Sequence, residues 1–405
     1  MNRRILTMNT GSATLKSALY ESGNRNELLL SMAVNHVSLS VGSLKIANPD
    51  GTGLFDSPVD YGDPNGALEI MFAWLNDNGF LPGLGAAGHR LVQGEPRHND
   101  PQRITPEFLF DMQQLVQIDP DHMPAAISGI QFIAKRFPDL PQIACFDTAF
   151  HSSLPQVASM YALPRNFFDQ GIRRAGFHGL SYEYVMGELQ TLEGNLANGR
   201  VIIAHLGSGC SMAAVKEGKS VDTSMGFTPI EGLVMATRPG DIDPGALLYL
   251  LEHNKMSAKE MNTLLNKESG LLGVSGTSGD MTVLLETSCK DARAEEAIAL
   301  FCYRVKKYIG AYAAVLGGVD VLVFTGGIGE HVPEVRKRIC DGLKFLGIRL
   351  EAGSNEVNAA LISHAKSPVK VRVIKTNEDL MIARHVSSAL GWTGVLPTSV
   401  SQSVS

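Results

Sequence analysis

Arg238 is the sole cation in SVDTSMGFTPIEGLVMATRPGDIDP, residues 220–244, a stretch rich in Gly, Thr, Ser and Pro. Its apolar residues keep neither a period of two nor one of about 3.6, so neither a strand nor a helix accounts for the whole. Loops of this length inside compact domains are usually functional. The segment follows VIIAHLGSGCS, from Val201, an apolar run that ends in Gly and Ser. Glycines let backbone N–H groups close on phosphate oxygens, and clustered N–H groups bind anions without side-chain charge. A lone Arg delivered by a long loop beside such a cradle points to phosphoryl transfer, a reaction governed by positioning and charge neutralisation.

Three segments share this grammar: ILTMNTGSATLKSALYESG from Ile5, VIIAHLGSGCSMAAVKEGK from Val201 and VLVFTGGIGEH from Val321. The first two overlay without gaps, with Gly11 on Gly207, Ser12 on Ser208, Ala18 on Ala214, Leu19 on Val215 and Glu21 on Glu217. Each reads as a strand, a tight turn and a returning strand. Their places near the start of each half favour a duplicated fold over a chance match. One such loop alone reads as well as an ordinary hairpin turn; three at strand ends favour a nucleotide site. Neither GxxxxGK[ST] nor a GxGxxG after a strand with the acidic partner occurs, which removes the P-loop and Rossmann readings.

Other candidates carry two readings each. Lys16, after the first Gly turn, suits a phosphate contact or a solvent-facing strand position. Asp147 ends the run IACF, where α/β ligand sites form, and equally suits a turn cap. His178, in RRAGFHGLSY, reads as a site residue or a hydrogen-bonded core histidine. Arg90, in GHRLVQGE, and Arg238 have no acid at helical spacing, with surface ion pairing as the alternative. Glu378 stands at a helix start, where acids also serve capping and the dipole. No HExxH or other metal-ligand spacing is present, so any metal is expected to be a hard, oxygen-bound ion such as Mg²⁺. No convincing nucleophile elbow is found either.

The elements that must hold these residues alternate between strand and helix, which gives an α/β fold. Helices are expected over 66–77, 124–136, 294–316 and 380–390, and strands over 144–146 and 369–374. A chain of 405 residues, 44% of them apolar, calls for two domains. Polar residues and Pro155 place a boundary near 149–155. A net charge of −6 gives no reason to expect nucleic acid, and no basic run suggests a membrane surface. Five scattered cysteines without a CxxC pair fit reduced thiols in a cytoplasmic protein. The N-terminus lacks a signal-peptide pattern. The apolar stretch 309–329 reads as a helix end and a buried strand rather than a membrane span. The tail after Leu396 reads as frayed.

Taken together, NTGSATLK, GHRLVQGE, CFDTAFH, GFHGLSY, HLGSGCS, the Arg238 loop, FTGGIGEH and TNEDL resemble the acetate kinase family, in order over nearly the whole chain. The resemblance implies a duplicated ribonuclease-H-like, actin-like ATPase fold with an interdomain nucleotide cleft. Its domains would be 1–149 plus 383–405, and 150–382. It further implies a cytoplasmic homodimer that moves a phosphoryl group reversibly between ATP and a short carboxylate, with Mg²⁺ or Mn²⁺.

By the same resemblance, Asn9 and Glu378 look like the metal-associated pair, and Ser12 and Lys16 like phosphate contacts. Arg90 resembles the carboxylate binder, with Val92, His122, Phe177 and Pro229 around the acyl group. Asp147, His178 and Arg238 resemble the catalytic set. His205, Leu206, Gly207, Ser208 and Gly209 match one nucleotide-binding stretch, and Asp280, Met281 and Thr282 a second. Gly327, Ile328, Gly329, Glu330 and His331 match the third. A carboxylate acceptor is already an anion near neutral pH, so Asp147 is expected to orient Arg238 or a metal-bound water rather than to move a proton.

The chain departs from the family pattern at HLGSG for HLGNG, GIGEH for GIGEN, GDMT for SDxR, HMPAA for HNPPN and FHGLSY for FHGTSH. Asp121 also stands where an apolar residue is usual. Acetate is the leading acceptor and propionate or butyrate the close alternative, since one methylene discriminates by only ~1–3 kcal/mol. A nucleotide-binding regulator without activity is the reading from another class.

Overall fold

The computed structural model describes residues 3–10, 14–23, 25–35, 41–60, 66–94, 98–116 and 123–392. The chain divides into two compact units, Met1–Ala149 with Asn377–Ser405, and Phe150–Thr376.

The first unit is built on eight strands among the described residues: β1 Arg4–Thr10, β2 Thr14–Glu21, β3 Glu27–Asn35, β4 Val41–Ala47, β5 Gly53–Asp60, β6 Leu84–Leu91, β7 Gln102–Arg103 and β8 Gln142–Phe146. They lie in the order β5-β4-β3-β2-β1-β6-β8-β7. Strands β1 to β5 form an antiparallel meander, while β1, β6 and β8 run parallel. Helix Gly66–Asp77 buries Leu68, Met71, Phe72 and Leu75 in one core with Leu6, Leu19, Leu30 and Leu44 of the sheet. Helices Pro106–Leu115 and Met123–Arg136 close a second core with Leu91 and Phe146.

The chain rejoins this unit at Asn377 rather than at the expected residue 383. The reason is helix Glu378–Ala389, which buries Met381, Ile382 and Val386 and already bonds to β1 in its first turn, where Thr7 Oγ1 donates to Asp379 Oδ1 at 3.0 Å. Gly88 on β6 makes room for it, since a Cβ there would stand 2.5 Å from Ile382.

The second unit has five strands, β9 Arg200–Leu206, β10 Cys210–Lys216, β11 Lys219–Thr223, β12 Val321–Thr325 and β13 Lys370–Val373, in the order β11-β10-β9-β12-β13. Three antiparallel strands are followed by two parallel to the first, as in β3-β2-β1-β6-β8. The duplication expected from the overlaid hairpins is therefore a duplication of topology. The hairpin loops differ by one residue: Thr10 pairs with Leu15 as the last rung of the first, and Leu206 with Cys210 in the second. Helix Gly179–Glu193 packs Tyr182, Val185 and Leu189 on Val201, Ile203, Val321 and Val323.

The expected helices appear as Gly66–Asp77, Met123–Arg136, Ala292–Leu316 and Glu378–Ala389. The third glycine segment differs from the other two, because GGIGEH folds as a helix over Gly326–His331. The Arg238 stretch begins inside β11 and has no regular element between Thr223 and the helix Pro244–His253. Among the described residues no helix is long and apolar enough to cross a membrane. All five cysteines are free thiols. The tail after Leu396 lies outside the described residues.

Candidate functional site

In the first unit the parallel strands β1, β6 and β8 bring Asn9, Arg90 and Asp147 together at their C-terminal ends, where open α/β sheets place ligands. Arg90 donates from Nε (3.0 Å) and Nη2 (2.5 Å) to Asp147 Oδ2, and from Nη1 to Asn9 Oδ1 at 3.2 Å. The Asp147 side chain is 1% exposed and that of Arg90 13%. Sequence spacing gave Arg90 no acidic partner because its partner stands on the neighbouring strand, 57 residues away. Asp147 holds Arg90 itself, a pairing absent from the expectation that it orients Arg238 or a water.

Asn9 Nδ2 donates to Glu378 Oε2 at 2.9 Å. Glu378 stands in the first turn of its helix, whose cap is Asn377, accepting from Leu380 N–H. Beside it, loss of hydration raises the Asp379 carboxyl to about 6, helped by the Glu378 charge and opposed by the Thr7 hydrogen bond. Among the described residues no three His, Cys, Asp or Glu side chains are grouped as a metal cage. An amide and a carboxylate, both hard oxygen donors, suit Mg²⁺, which takes one or two carboxylates and completes its shell with water and phosphate. Lys16 is exposed on β2, and Val92 is buried just past β6. Ser12, Asp121 and His122 lie outside the described residues.

In the second unit His178 caps helix Gly179–Glu193 with left-handed backbone, φ 61° and ψ 26°. Such a conformation is uncommon for a residue with a Cβ and clusters at functional positions. Its ring stacks on His205, centroids 4.3 Å apart and planes 19° from parallel. The His178 Nδ1 lies 2.8 Å from Ser211 Oγ, and Tyr182 OH also bonds to that oxygen. Ser181 Oγ lies 2.8 Å from His205 Nδ1 and accepts from Thr376 Oγ1 at 2.8 Å. A Cβ on Gly209 would meet Arg238 Nη2 at 2.8 Å and His178 Nε2 at 3.5 Å. A guanidinium and an imidazole thus converge on the loop after β9, and only glycine lets them approach it.

The Arg238 loop is anchored rather than loose. Arg238 Nη1 donates to the Pro229 carbonyl at 2.6 Å, and Ala236 N–H to the Ser208 carbonyl at 3.0 Å. Arg174 Nη1 donates to the carbonyls of Thr223, Ser224 and Met225, while its Nη2 donates to Glu231 at 2.6 Å. Asp241 accepts from Gly232 N–H and Tyr308 OH. Pro229, expected as an apolar wall, thus also fixes Arg238 through its backbone, and Phe177 is buried.

Leu206 is buried at the end of β9, with Gly207 and Gly209 half-buried and Ser208 exposed between them. Asp280 accepts from Thr282 and Val283 N–H as the cap of helix Met281–Thr287, leaving Met281 buried and Thr282 exposed. In Gly326–His331 the glycines leave the turn compact, with Gly327 and His331 exposed, Ile328 half-buried and Gly329 buried. Glu330 turns inward, its Oε1 accepting from Gly326 N–H (2.9 Å) and Thr376 N–H (3.0 Å). Arg174, Ser181, Ser211 and Thr376 carry no sequence signal beyond neighbouring motifs. A cavity of about 820 Å³, lined in part by Lys337, Arg338, Lys344, Arg349 and His364, includes none of the candidate residues.

A family model described as the Acetokinase family matches residues 4–384. The chain is 44% identical over 398 residues to an acetate kinase of Rhodopseudomonas palustris, covering 95% of this chain and 98% of that one. An acetate kinase of Methylocella silvestris is 41% identical, at 96% and 98% coverage. The crystal structure of Porphyromonas gingivalis acetate kinase matches with a TM-score of 0.86 at 37% identity, covering 96% of this chain and 100% of that one. A propionate kinase from Francisella tularensis matches with a TM-score of 0.88 at 35% identity, covering 95% and 98%.

Proposed function

The chain belongs to the acetokinase family, and on that premise we propose that it transfers a phosphoryl group reversibly between ATP and acetate, giving acetyl phosphate and ADP. The observation that carries this reading is the convergence of Arg238 and His178 on Gly209. Two donors held at a glycine loop suit a migrating phosphoryl group, whose charge must be met by fixed N–H groups. The acceptor is already an anion, so no strong base is required, in keeping with an Asp147 occupied in holding Arg90.

In this reading Arg90 meets the acceptor carboxylate, with Val92, Phe177 and Pro229 as apolar neighbours of the acyl group. His205–Gly209, Asp280–Thr282 and Gly327–His331 serve the nucleotide, with Lys16 as a phosphate contact. Asn9 and Glu378 would hold Mg²⁺ or Mn²⁺, which when bound supplies charge neutralisation to the phosphates. A homodimer is supported by helix Pro244–His253, PGALLYLLEH, in which no residue is buried and Leu248 and Tyr249 are 57% and 58% exposed. Free thiols throughout suit a cytoplasmic location. Propionate stands as the second acceptor, on the likeness to the Francisella tularensis propionate kinase.

Trapping of acyl phosphate with hydroxylamine, using ATP, Mg²⁺ and acetate, propionate or butyrate in turn, tests the proposal. Acetate should give the highest kcat/KM, and no acyl phosphate from any acid would refute it. Replacing ATP with GTP or pyrophosphate reads out what Ser208, Thr282 and His331 do to donor choice.

A further inference from the structure

Three histidines of the second unit each carry a serine hydroxyl on Nδ1: His151 with Ser220, His178 with Ser211 and His205 with Ser181, all at 2.8 Å. At His151 the tautomer follows from geometry. Its Nε2 lies 3.1 Å from the Phe177 carbonyl, which can only accept, so Nε2 bears the proton and Ser220 donates to Nδ1. The serines on the other two rings each have a second hydroxyl partner, Tyr182 on Ser211 and Thr376 on Ser181.

A serine has one proton to give. An imidazole nitrogen lone pair is a far stronger acceptor than a phenol or alcohol oxygen, so the tautomer that presents that lone pair to the serine proton is the favoured one. The serine oxygen then accepts from the outer hydroxyl. For Tyr182 the direction is reinforced, since a phenol is the more acidic partner. Each chain of hydroxyls therefore leaves Nδ1 as acceptor and puts the ring proton on Nε2. Burial strengthens both chains, for Ser181, Ser211 and Tyr182 are 0% exposed. The stacking of His178 on His205 acts in the same sense, because two imidazolium rings in face contact would repel.

The Nε2 atoms face the hairpin loop, 3.5 Å from a Cβ placed on Gly209 for His178 and 4.0 Å from one placed on Gly207 for His205. We propose that Tyr182 and Thr376 are positioning residues, each acting through one serine to hold one of two stacked, neutral imidazoles with its proton on Nε2, toward the Gly207–Gly209 loop. The loop is thereby flanked by two fixed neutral donors beside the Arg238 guanidinium, an array suited to phosphoryl oxygens. Their use by substrate rests on the phosphoryl-transfer reading above; the tautomers do not. Tyr182 stands where the family pattern FHGTSH has its second His, so one of the two chains begins at a residue in which this sequence departs from the pattern.

The test is NMR of the full chain with ¹⁵N-labelled histidine and no substrate, signals being assigned with His178→Gln and His205→Gln. Both rings should show a protonated Nε2 and a bare Nδ1. Tyr182→Phe keeps the ring packed on Phe150 and His151 and removes only the hydroxyl. It should give His178 a mixed-tautomer signature and leave His205 unchanged, with kcat lowered roughly 3- to 10-fold and both KM values kept. Thr376→Val should do the reverse, altering His205 alone. Ser211→Ala provides a second route to the His178 change. A proton on Nδ1 of either ring in the native chain, or an unaltered His178 signature in Tyr182→Phe, would overturn the proposal. Absence of acyl phosphate formation would instead remove the phosphoryl-transfer reading and leave the tautomer result standing.

Discussion

The two units end the same five-strand core in opposite electrostatic ways. In the overlay that sets Gly11 on Gly207, Asn9 falls on His205, and both stand near the end of the first strand of their sheets. Around Asn9 the first unit gathers charge, an Arg90–Asp147 ion pair with Glu378 beside it. Around His205 the second unit gathers serine hydroxyls and a stacked pair of imidazoles, with the Arg238 guanidinium arriving on a loop held by Pro229. Duplication thus fixed where strand ends converge and left open what stands there. An acceptor with a single negative charge suits a cation preset by a carboxylate. A phosphate chain suits many N–H donors that bring no counter-charge of their own.

The largest effect should come from Arg238, the sole cation of the 220–244 loop. Arg238→Ala is expected to lower kcat by ~10³ or more with small KM changes, by analogy with other phosphoryl-transfer arginines. A loss confined to acceptor KM in steady-state kinetics would move Arg238 into the same class as Arg90 and dissolve the contrast.

Stability should show the opposite ranking. Arg90→Ala strands a buried carboxylate and should cost ~3–5 kcal/mol in denaturant unfolding, along with a raised acetate KM. Arg90→Met combined with Asp147→Leu should regain most of that stability and none of the activity. His178→Gln strands no charge and should cost about 1 kcal/mol. Equal losses for the two sites would erase the electrostatic distinction.

Acid should act on both units alike. Burial lowers His89 in the first unit and His151 in the second to about 4, offset in part by the hydrogen bonds the rings donate to Gln142 Oε1 and the Phe177 carbonyl. The unfolded chain binds these protons at a higher pH than the native one, so stability falls as pH drops from about 6.5 to about 4 and levels off below. Each ring accounts for ~3 kcal/mol over that window. Thermal unfolding of His151→Gln against pH should show a shallower acid limb, and an unchanged limb would exclude His151 as a source of acid sensitivity.

The smallest effect belongs to the turn that presents GGIGEH. Glu330→Gln weakens the acceptor for Gly326 and Thr376 N–H by about 1 kcal/mol, which should raise nucleotide KM several-fold and leave acetate KM unchanged.

Much of this architecture was readable from the chain. The spacing of apolar residues gave four helices close to their final bounds, and the repeated Gly/Ser hairpin announced the duplication before any strand was paired. The family motifs named Asn9, Arg90, Asp147, His178, Arg238 and Glu378. Partnerships were not readable. Arg90 and Asp147 are 57 residues apart and meet because β6 and β8 are parallel neighbours. Thr376 reaches Ser181 across 195 residues.

Local sequence determined what depends on neighbours along the chain. It fixed periodicity, turn chemistry, the glycines of the strand-end loops and the absence of a P-loop. Only the tertiary structure decided the rest: that Asp147 holds Arg90, that Pro229 holds Arg238 through its carbonyl, and that two serines hold two stacked imidazoles. Hydrogen bonds act over about 3 Å, and which side chains come that close is set by sheet order and strand register. Neither quantity is written in the spacing of residues along one strand.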